Sequence, residues 1–415
     1  MRLRFEAYGC ALNRGQAREL EELAAGSGHA TDASESGADL VVLATCTVIQ
    51  STENRMLARL RTLHDRGKRV AVAGCMASAQ SDLIRKACPD ALVLPPRDYG
   101  GFLGLLLSLG DRGPKPRARR SFAAAAEEIP VVDGCRGRCT FCITRLARGR
   151  PGSRPVDEVV SRVRTVVTRG CVEVRLAAQD IGLYGQDIGT DLPKLLERVC
   201  AVEGNFRVRP GMMNPESLRP IQEGLMAAYA HPKVFKFIHI PVQSGSDYVL
   251  ERMGRGHSAG DFLEVVERYR SAFPLGLLAT DIIVGFPGES EEAFDRTLWL
   301  VETSRPDIIN IKAFSPRPGT PAFRLKDRPG RTTVQGRIAR LQQLRRRVFL
   351  ENNRRLLGTV QDVLVTEKAR RGGVLARTAT YHPVILDKAL PPGTVAQVRL
   401  TGAGTGFLVG EPRER

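Results

Sequence analysis

Three cysteines near the middle of the chain carry the side chains best suited to chemistry in this sequence. Cys135, Cys139 and Cys142 are spaced C-x3-C-x2-C, and an aromatic residue, Phe141, stands directly before the last of them. Soft thiolate ligands suit zinc and iron–sulfur clusters. A structural zinc site needs a fourth ligand, and no further Cys or His follows before Cys171. A 4Fe–4S cluster with one open iron is therefore favoured, and a small structural zinc loop is the alternative.

This motif resembles the cluster motif of the radical S-adenosylmethionine (SAM) enzymes. In that family the open iron chelates the amino and carboxylate groups of SAM, and one electron from the cluster splits the sulfonium to give a 5′-deoxyadenosyl radical. The resemblance implies that Cys135, Cys139 and Cys142 bind a 4Fe–4S cluster, that SAM is the cofactor and that Phe141 lies beside it. The protein itself would bind and orient the reactants and exclude water.

A second group of three cysteines lies in the first part of the chain. Apolar runs typical of buried parallel strands occur at 3–8, 40–44 and 70–73, each followed by a helical pattern. Cys10, Cys46 and Cys75 stand one to three residues beyond these runs. Because the carboxyl ends of parallel strands meet along one edge of an open sheet, we expect the three thiols to converge into a second site. Buried cysteines that pack as small apolar residues are the alternative.

The motifs around these cysteines, Y-G-C-A-L-N, T-C-T-V and G-C-M-A, closely resemble the methylthiotransferases when taken with the radical SAM motif. These enzymes replace an unactivated C–H bond with C–SCH3, and their N-terminal domain carries a second 4Fe–4S cluster on three cysteines. The resemblance covers essentially the whole chain. It implies that Cys10, Cys46 and Cys75 hold this auxiliary cluster, so that two 4Fe–4S clusters and SAM are the cofactors. Ala44 departs from the family pattern, in which Asn often precedes T-C-T-V.

Composition favours a globular protein that binds a polyanion. The chain has 415 residues, of which 42% are hydrophobic, and a formal net charge of +17. This length predicts two or three domains, and the charge favours a nucleic acid as partner. No apolar signal core opens the sequence and no apolar run approaches the roughly 18 residues of a membrane span, so we expect a cytoplasmic protein without membrane contact. The cysteines assigned to the apolar core are Cys88, Cys171 and Cys200.

The predicted fold class is α/β with three domains. Residues 1–112 are expected to form a doubly wound α/β domain, and residues 122–357 a partial (βα)6 barrel of the radical SAM type. Five short β-rich runs in residues 358–413 predict a small antiparallel β-barrel. This last domain resembles the TRAM domain that methylthiotransferases use to hold RNA. A basic, proline-containing linker is predicted at 111–121.

The loops after the barrel strands carry the remaining candidates, because chemistry in parallel α/β barrels lies at that end. The stretches H-I-P-V-Q-S-G-S-D and D-I-I-V-G-F-P-G-E resemble methylthiotransferase sequences nearly residue for residue. The residues expected to contact SAM or substrate are Gln179, Asp180, Gln243, Ser244, Gly285 and Glu289. His239 lies inside a strand pattern and is assigned no role. No catalytic residue is assigned beyond the cluster ligands.

The resemblance predicts tRNA as the substrate, bound at its anticodon loop. Methylthiotransferases for tRNA act at C2 of adenosine 37, and the stretch R-V-R-P-G-M-M-N-P resembles the archaeal and eukaryotic branch that modifies N6-threonylcarbamoyladenosine (t6A). Arg207 and Arg209 alternate along a strand, so they share a face, and an arginine fork suits a threonyl carboxylate. Ordinary salt-bridged arginines are the alternative for this pair.

Three other functions are compatible with the sequence alone. The substrate could be N6-isopentenyladenosine 37, or the side chain of a ribosomal protein. A non-catalytic zinc-containing RNA-binding protein is the alternative from a different class. For the favoured enzyme, an electron donor such as flavodoxin or ferredoxin is implied as a second partner.

Overall fold

The structure is a computed structural model that describes residues 1–48, 50–109, 125–369 and 372–413. It confirms the predicted α/β fold class, with an N-terminal α/β sheet, a central partial barrel and a C-terminal β-barrel. The linker predicted at 111–121 lies outside the described residues.

The N-terminal sheet has four parallel strands with helices between them. Its elements are β1 (Leu3–Ala7), α1 (Ala11–Gly26), β2 (Leu40–Thr45), α2 (Gln50–Asp65), β3 (Val70–Gly74), α3 (Cys75–Ala79), α4 (Ser81–Ala87), β4 (Leu92–Leu94) and α5 (Tyr99–Leu109). The strands pair in the order β1-β2-β3-β4. After α1 the chain first bridges the outer edge of β1, where Ala30 meets Arg2, and only then returns to form β2.

This return gives the sheet an apolar layer on each face. Leu20 of α1 and Phe102 of α5 pack with Val42 on one face. On the other face, Met56 and Leu60 of α2 pack with the neighbouring strands. Helices on both faces are the doubly wound arrangement that the sequence predicts. In such a sheet, ligands bind beyond the carboxyl ends of the strands, next to the point where the chain changes direction.

The central unit contains six parallel strands, each followed by helical structure. Its elements are β5 (Ala126–Pro130), β6 (Val132–Asp133), α6 (Thr144–Arg148), β7 (Gly152–Ser153), α7 (Val156–Thr168), β8 (Glu173–Ala177), α8 (Leu192–Cys200), β9 (Arg207–Arg209), α9 (Pro215–Leu218), α10 (Gln222–Ala230), β10 (Phe237–His239), α11 (Asp247–Arg252), α12 (Ala259–Ala272), β11 (Leu277–Val284), α13 (Glu291–Ser304), β12 (Ile308–Ala313) and α14 (Arg331–Arg354).

The six main strands form two parallel sheets, β5-β8-β9 and β10-β11-β12. Parallel bridges between Val208 and Val234, and between Met212 and His239, join these sheets into one curved wall. Among the described residues no ladder joins β12 back to β5, so the barrel is partial. The short strands β6 and β7 pair antiparallel and were not expected from the sequence. They form a ribbon just beyond the first barrel strand.

Side chains alternate between the two faces of the barrel wall. Val174 and Val208 are fully buried against the surrounding helices. Arg175 and Arg209, one residue further along the same strands, point to the opposite, interior face, because successive strand residues alternate. The interior is therefore partly polar. Helix α14 covers β12 with an apolar face that includes the buried Leu341.

The C-terminal barrel is closed by five strands. They are β13 (Val360–Lys368), β14 (Val374–Thr378), β15 (Pro383–Leu386), β16 (Val395–Ala403) and β17 (Leu408–Pro412). The strands pair in the order β13-β14-β15-β17-β16, and β16 pairs again with β13. The sequence predicts an antiparallel barrel, but β15 and β17 pair in parallel. The reason is geometric, since a closed ring with an odd number of strands must contain at least one parallel pair.

Tyr381 of this small barrel inserts into the central barrel. Its ring lies 4.8 Å from that of Phe235 and 4.9 Å from that of Phe237, measured between centroids. Its hydroxyl donates to Glu173 Oε1 at 2.6 Å, and Glu173 also pairs with Arg175. Glu173 and Phe237 are the first residues of β8 and β10, so Tyr381 lies where the barrel strands begin. The C-terminal barrel therefore closes the end of the central barrel opposite the strand-end loops.

Candidate functional site

The cluster motif lies on a loop, residues 134–151, that follows the first barrel strand. The ribbon of β6 and β7 closes the base of this loop. Gly134 opens it with φ +87°, and a Cβ at this position would lie 2.2 Å from Arg150 O, so that only glycine fits. Cys135 N donates to Gly149 O at 3.2 Å. Both ends of the loop are therefore held together.

The three thiols of this loop are half-buried. The Gly137 N–H donates to Cys135 Sγ at 3.3 Å, and Arg255 Nη1 donates to Cys139 Sγ at 3.5 Å. Such donors stabilise thiolates, which is what metal ligands require. Burial raises the pKa of the Cys135 thiol to about 12, and a bound metal would displace its proton. Cys142 N donates to Cys139 O at 3.2 Å and completes the turn.

Phe141 anchors the cluster loop to the fifth and sixth strand-end loops. Its ring packs edge-on against Phe286, with 6.4 Å between centroids, and this pair belongs to an apolar cluster with Met253. Next to it, Thr140 N donates to Met253 O at 2.8 Å, and Thr140 O accepts from Ala322 N at 2.9 Å. The aromatic residue therefore has a structural role in this arrangement, beside the thiols.

Gln179 and Asp180 connect the second loop to its neighbours. Gln179 Oε1 accepts from Gly134 N at 2.9 Å, which ties the second loop to the start of the cluster loop. Asp180 is 2% exposed, and its carboxylate accepts from Asn214 Nδ2 at 2.6 Å and from Ser217 Oγ at 2.7 Å. The carboxylate is thus occupied in holding the third loop, which carries Asn214.

Gln243 and Ser244 shape the fourth loop. Gln243 has φ +75°, a left-handed conformation that costs a residue other than glycine about 1–3 kcal/mol. Its backbone is held by two bonds, from its N–H to Asp281 O at 2.8 Å and from Ile283 N to its carbonyl at 3.0 Å. Ser244 is fully buried, and its Oγ lies 3.4 Å from Thr297 Oγ1. Strain of this kind clusters at ligand sites, which is consistent with a binding role for this loop.

Gly285 and Glu289 belong to a self-contained fifth loop. Glu289 is 5% exposed, and its Oε2 accepts from Gly285 N at 2.7 Å and from Arg337 Nη1 at 2.9 Å. Burial raises the pKa of Glu289, while these two donors stabilise its charged form. The carboxylate therefore fixes the loop conformation and has Arg337 of α14 as its ionic partner.

The N-terminal thiols lie at the carboxyl ends of three neighbouring strands. Cys10 precedes α1, Cys46 follows β2, and Cys75 opens α3 directly after β3. Gly9 has φ +98°, and a Cβ there would lie 2.5 Å from Cys46 Cβ, so the first two cysteine segments are in direct contact. Burial chiefly raises the pKa of Cys75 to about 12, and the neighbouring thiols of Cys10 and Cys46 raise it further. The structure thus brings the three residues together.

Relatives match this chain over its full length. A probable threonylcarbamoyladenosine tRNA methylthiotransferase from Pyrococcus horikoshii is 37% identical over 98% of this chain and 98% of its own length. A protein of the same name from Archaeoglobus fulgidus is 37% identical over 99% of this chain and 98% of its own length. This chain belongs to the methylthiotransferase family.

Family models match three separate parts of the methylthiotransferase. They are Uncharacterized protein family UPF0004 at residues 2–94, the Radical SAM superfamily at 129–301 and the TRAM domain at 354–412. A tRNA-2-methylthio-N(6)-dimethylallyladenosine synthase from Streptomyces griseus subsp. griseus is 32% identical over 97% of this chain and 86% of its own length. Within the ranges that the structure describes, no helix is long and apolar enough to cross a membrane.

The fold itself has a solved relative. The radical SAM methyltransferase TsrM from Kitasatospora setae superposes on the methylthiotransferase with a TM-score of 0.57. The match covers 77% of this chain and 76% of that chain at 15% identity, so it concerns the fold alone.

Membership of the radical SAM family implies SAM and a 4Fe–4S cluster as cofactors. The cluster loop fits that group, because it offers three half-buried thiols with hydrogen-bond donors to two of them. In the parts of the chain that the structure describes, no three Cys, His, Asp or Glu side chains converge as ligands of one bare metal ion. Each sulfur ligand of a cluster binds a different iron, so the thiols need not converge on a single point.

Arg148 is a residue of the methylthiotransferase that sequence reasoning missed. It ends α6, six residues after Cys142, and its side chain is fully buried. Its Nε donates to Cys75 Sγ at 3.0 Å, and its Nη1 pairs with Asp133 Oδ1 at 2.8 Å. The same guanidinium also donates to the side chains of Gln16 and Asn13. One arginine from the cluster loop therefore reaches a thiol of the second group.

A second arginine that sequence reasoning missed joins the central barrel to the N-terminal sheet at a separate place. Arg317 of the sixth loop is 3% exposed, and its Nη1 pairs with Glu53 Oε2 of α2 at 2.8 Å. Its Nη2 donates to Val48 O at 3.0 Å, two residues beyond Cys46. Nothing in the local sequence distinguishes Arg148 or Arg317 from the many exposed arginines. Only the fold reveals them.

Proposed function

We propose that this methylthiotransferase converts t6A at position 37 of tRNA into 2-methylthio-N6-threonylcarbamoyladenosine. The observation that carries the proposal is the end-to-end match to archaeal proteins whose names state t6A of tRNA as the substrate. The match of the C-terminal barrel to the TRAM domain and the net charge of +17 support an RNA substrate. A non-catalytic zinc protein is not favoured, since the chain belongs to an enzyme family.

Two clusters are part of the proposal. Cys135, Cys139 and Cys142 would hold the radical SAM cluster, and the second 4Fe–4S cluster would be held by Cys10, Cys46 and Cys75. When bound, the radical SAM cluster and one SAM would supply the 5′-deoxyadenosyl radical that takes hydrogen from C2, and a second SAM would methylate a sulfur held at the auxiliary cluster. The reducing electron would come from a donor such as flavodoxin or ferredoxin in the cytoplasm.

The chain's own residues would position these reactants. Asp180 and Gln179 hold the second and third loops against the cluster loop, and the strained Gln243 fixes the fourth. Arg148 and Arg317 bind the N-terminal sheet to the barrel from two sides. The two groups of thiols are therefore held in a fixed relation, which a substrate carbon that must meet both requires.

Of the two arginines expected to read the threonyl carboxylate, Arg209 is the one with a buried side-chain nitrogen that has no hydrogen-bond partner. Its guanidinium lies over the rings of Phe237 and Tyr381, at 4.8 and 5.6 Å from their centroids. It forms no ion pair with the described residues, and its Nε is buried without a hydrogen-bond partner. Arg207 shares this face, but it donates to Phe206 O and lies at the start of β9. We propose Arg209 as the carboxylate ligand.

Replacing Arg209 with Met is expected to remove discrimination for the threonyl carboxylate. A charged hydrogen bond contributes about 1.5–3 kcal/mol, so kcat/KM for an RNA with t6A should fall about 10- to 150-fold. For an RNA whose threonyl group is the methyl ester, kcat/KM should change little. Arg207→Met is the matched control and should keep the preference of the wild type. Equal preference for the acid in the wild type and in Arg209→Met would contradict this role.

Nucleoside mass spectrometry of tRNA tests the proposed function directly. Deleting the gene from its host should remove 2-methylthio-t6A, leave t6A in its place and leave any 2-methylthio-N6-isopentenyladenosine unchanged. Complementation with the intact gene should restore the product. Loss of the isopentenyl derivative with 2-methylthio-t6A intact would assign the enzyme to the other nucleoside. A normal nucleoside profile together with an unmodified ribosomal protein would point to a protein substrate.

A further inference from the structure

Four exposed arginines lie on the cluster loop, and a fifth lies on the neighbouring sixth loop. Arg136 and Arg138 stand between the cluster cysteines, Arg145 and Arg150 lie on α6 and just beyond it, and Arg324 lies at the end of the sixth loop. Among the described residues, none of these five guanidinium groups has an ion pair or a hydrogen-bond acceptor. We call them the arginine collar.

The two segments that carry the arginine collar contain no acidic residue. The segments 134–150 and 315–326 contain no Asp or Glu, although they contain eight basic residues: Arg136, Arg138, Arg145, Arg148, Arg150, Arg317, Arg324 and Lys326. The two that point inward, Arg148 and Arg317, are both ion-paired. On α14, by comparison, Arg340 and Arg347 pair with glutamates of α13. Collar arginines are thus left free for a charge outside the protein.

An exposed aromatic ring stands beside the collar. Phe323 is 45% exposed and precedes Arg324 on a single 3-10 turn, Pro321–Arg324. That turn is fixed to the cluster loop, because Ala322 N donates to Thr140 O at 2.9 Å. Leu146, between Arg145 and Arg148, is 55% exposed. Basic side chains interleaved with an exposed ring are the pattern by which proteins grip single-stranded RNA, with phosphates on the cations and a base stacked on the ring.

The geometry points to the arginine collar as the site that grips the anticodon loop, with its phosphates on the arginines and a base next to position 37 stacked on Phe323. This inference rests on the proposed tRNA function and adds to it the surface that presents the nucleotide. A base must leave the stack before its C2 can reach a buried site, and RNA loops are recognised in this splayed form. Arginines that bind the flanking phosphates next to the cluster would hold the base in this splayed position.

Salt dependence of RNA binding tests the collar. The variant Arg136→Gln/Arg138→Gln/Arg145→Gln should bind a t6A anticodon stem-loop about a hundredfold more weakly at 0.1 M salt. Each lost phosphate contact should lower the logarithm of the binding constant by roughly 0.7 at this salt concentration. The slope of log Kd against log salt should fall by about 2. The control variant Arg61→Gln/Arg69→Gln/Arg164→Gln removes the same charge from exposed arginines elsewhere. It should bind nearly as the wild type does, as measured by fluorescence anisotropy with the cluster-loaded proteins.

Phe323→Leu separates stacking from charge. Loss of the ring should lower affinity about fivefold or more, because base stacking is lost while the apolar contact is kept. The salt slope should stay as in the wild type, since no cation is removed. A Phe323→Leu protein with wild-type affinity would remove the stacking part of the inference.

Two outcomes would overturn the collar. Equal losses in the collar and control variants would show a general effect of net charge. A collar variant with wild-type RNA affinity, but with slow cluster reduction by flavodoxin and normal reduction by dithionite, would assign the surface to an acidic electron donor. Failure of the proposed function looks different, because the wild type itself would then make no 2-methylthio-t6A in the same stem-loop.

Discussion

Replacing any one of Cys135, Cys139 and Cys142 with Ala is expected to abolish reductive cleavage of SAM. A methyl group cannot replace a thiolate ligand, and the cluster loop offers no fourth thiol that could take over. Replacing Cys10, Cys46 or Cys75 should leave cleavage largely intact and stop insertion of the methylthio group. The two groups of cysteines therefore separate into two phenotypes, one without 5′-deoxyadenosine and one without methylthiolated nucleoside.

Both products are measured in the same anaerobic reaction, by chromatography for 5′-deoxyadenosine and by mass spectrometry for the nucleoside. Cys88→Ala is the matched control, because Cys88 is 2% exposed in the N-terminal sheet and is not one of the grouped thiols. It should give both products. Iron content is an independent measurement. Each ligand variant should contain about half of the wild-type iron, and Cys88→Ala should contain as much iron as the wild type. Undiminished methylthio product from Cys46→Ala would remove the second cluster from the mechanism.

Replacing Arg148 with Met is expected to lower the free energy of unfolding by about 3 kcal/mol or more. Breaking a buried ion pair by removing one partner costs about 3–5 kcal/mol, because the remaining charge is left uncompensated. Here the remaining charge is Asp133, which is 7% exposed. Arg97 Nε also lies 3.2 Å from this carboxylate, so the loss should fall near the lower end of the range. Cys75 and Asn13 lose a hydrogen bond in addition.

Urea unfolding of the protein without bound iron measures this loss, so that cluster chemistry does not enter the result. Arg61→Met is the control, since Arg61 is exposed on α2 and makes no ion pair within the described residues. It should change stability by less than about 0.5 kcal/mol. The double variant Arg148→Met/Asp133→Asn should recover part of the loss, because it removes the orphaned charge. Equal stability of Arg148→Met and Arg61→Met would contradict the buried contact.

The sequence alone predicted two groups of three cysteines, and the reason is local. C-x3-C-x2-C places three thiols on one loop whatever the rest of the fold does. The other three follow strand-like runs, and parallel strands bring their carboxyl ends to one edge. Composition and periodicity likewise predicted five short strands in residues 358–413, where the structure has β13 to β17. The parallel pairing of β15 and β17 was missed, because a run of apolar residues carries no information on strand direction.

Only the tertiary structure decided which charged residues act within the protein and which face outward. Arg148 meets Cys75 across 73 residues of chain, Tyr381 meets Glu173 across 208, and Arg317 meets Glu53 across 264. No periodicity or local spacing encodes such pairs, since each depends on how separate units pack. Arg145, Arg148 and Arg150 are the same residue type and lie close together in the sequence. Packing of α6 against the N-terminal domain buries Arg148 against a thiol and an acid and leaves Arg145 and Arg150 in solvent.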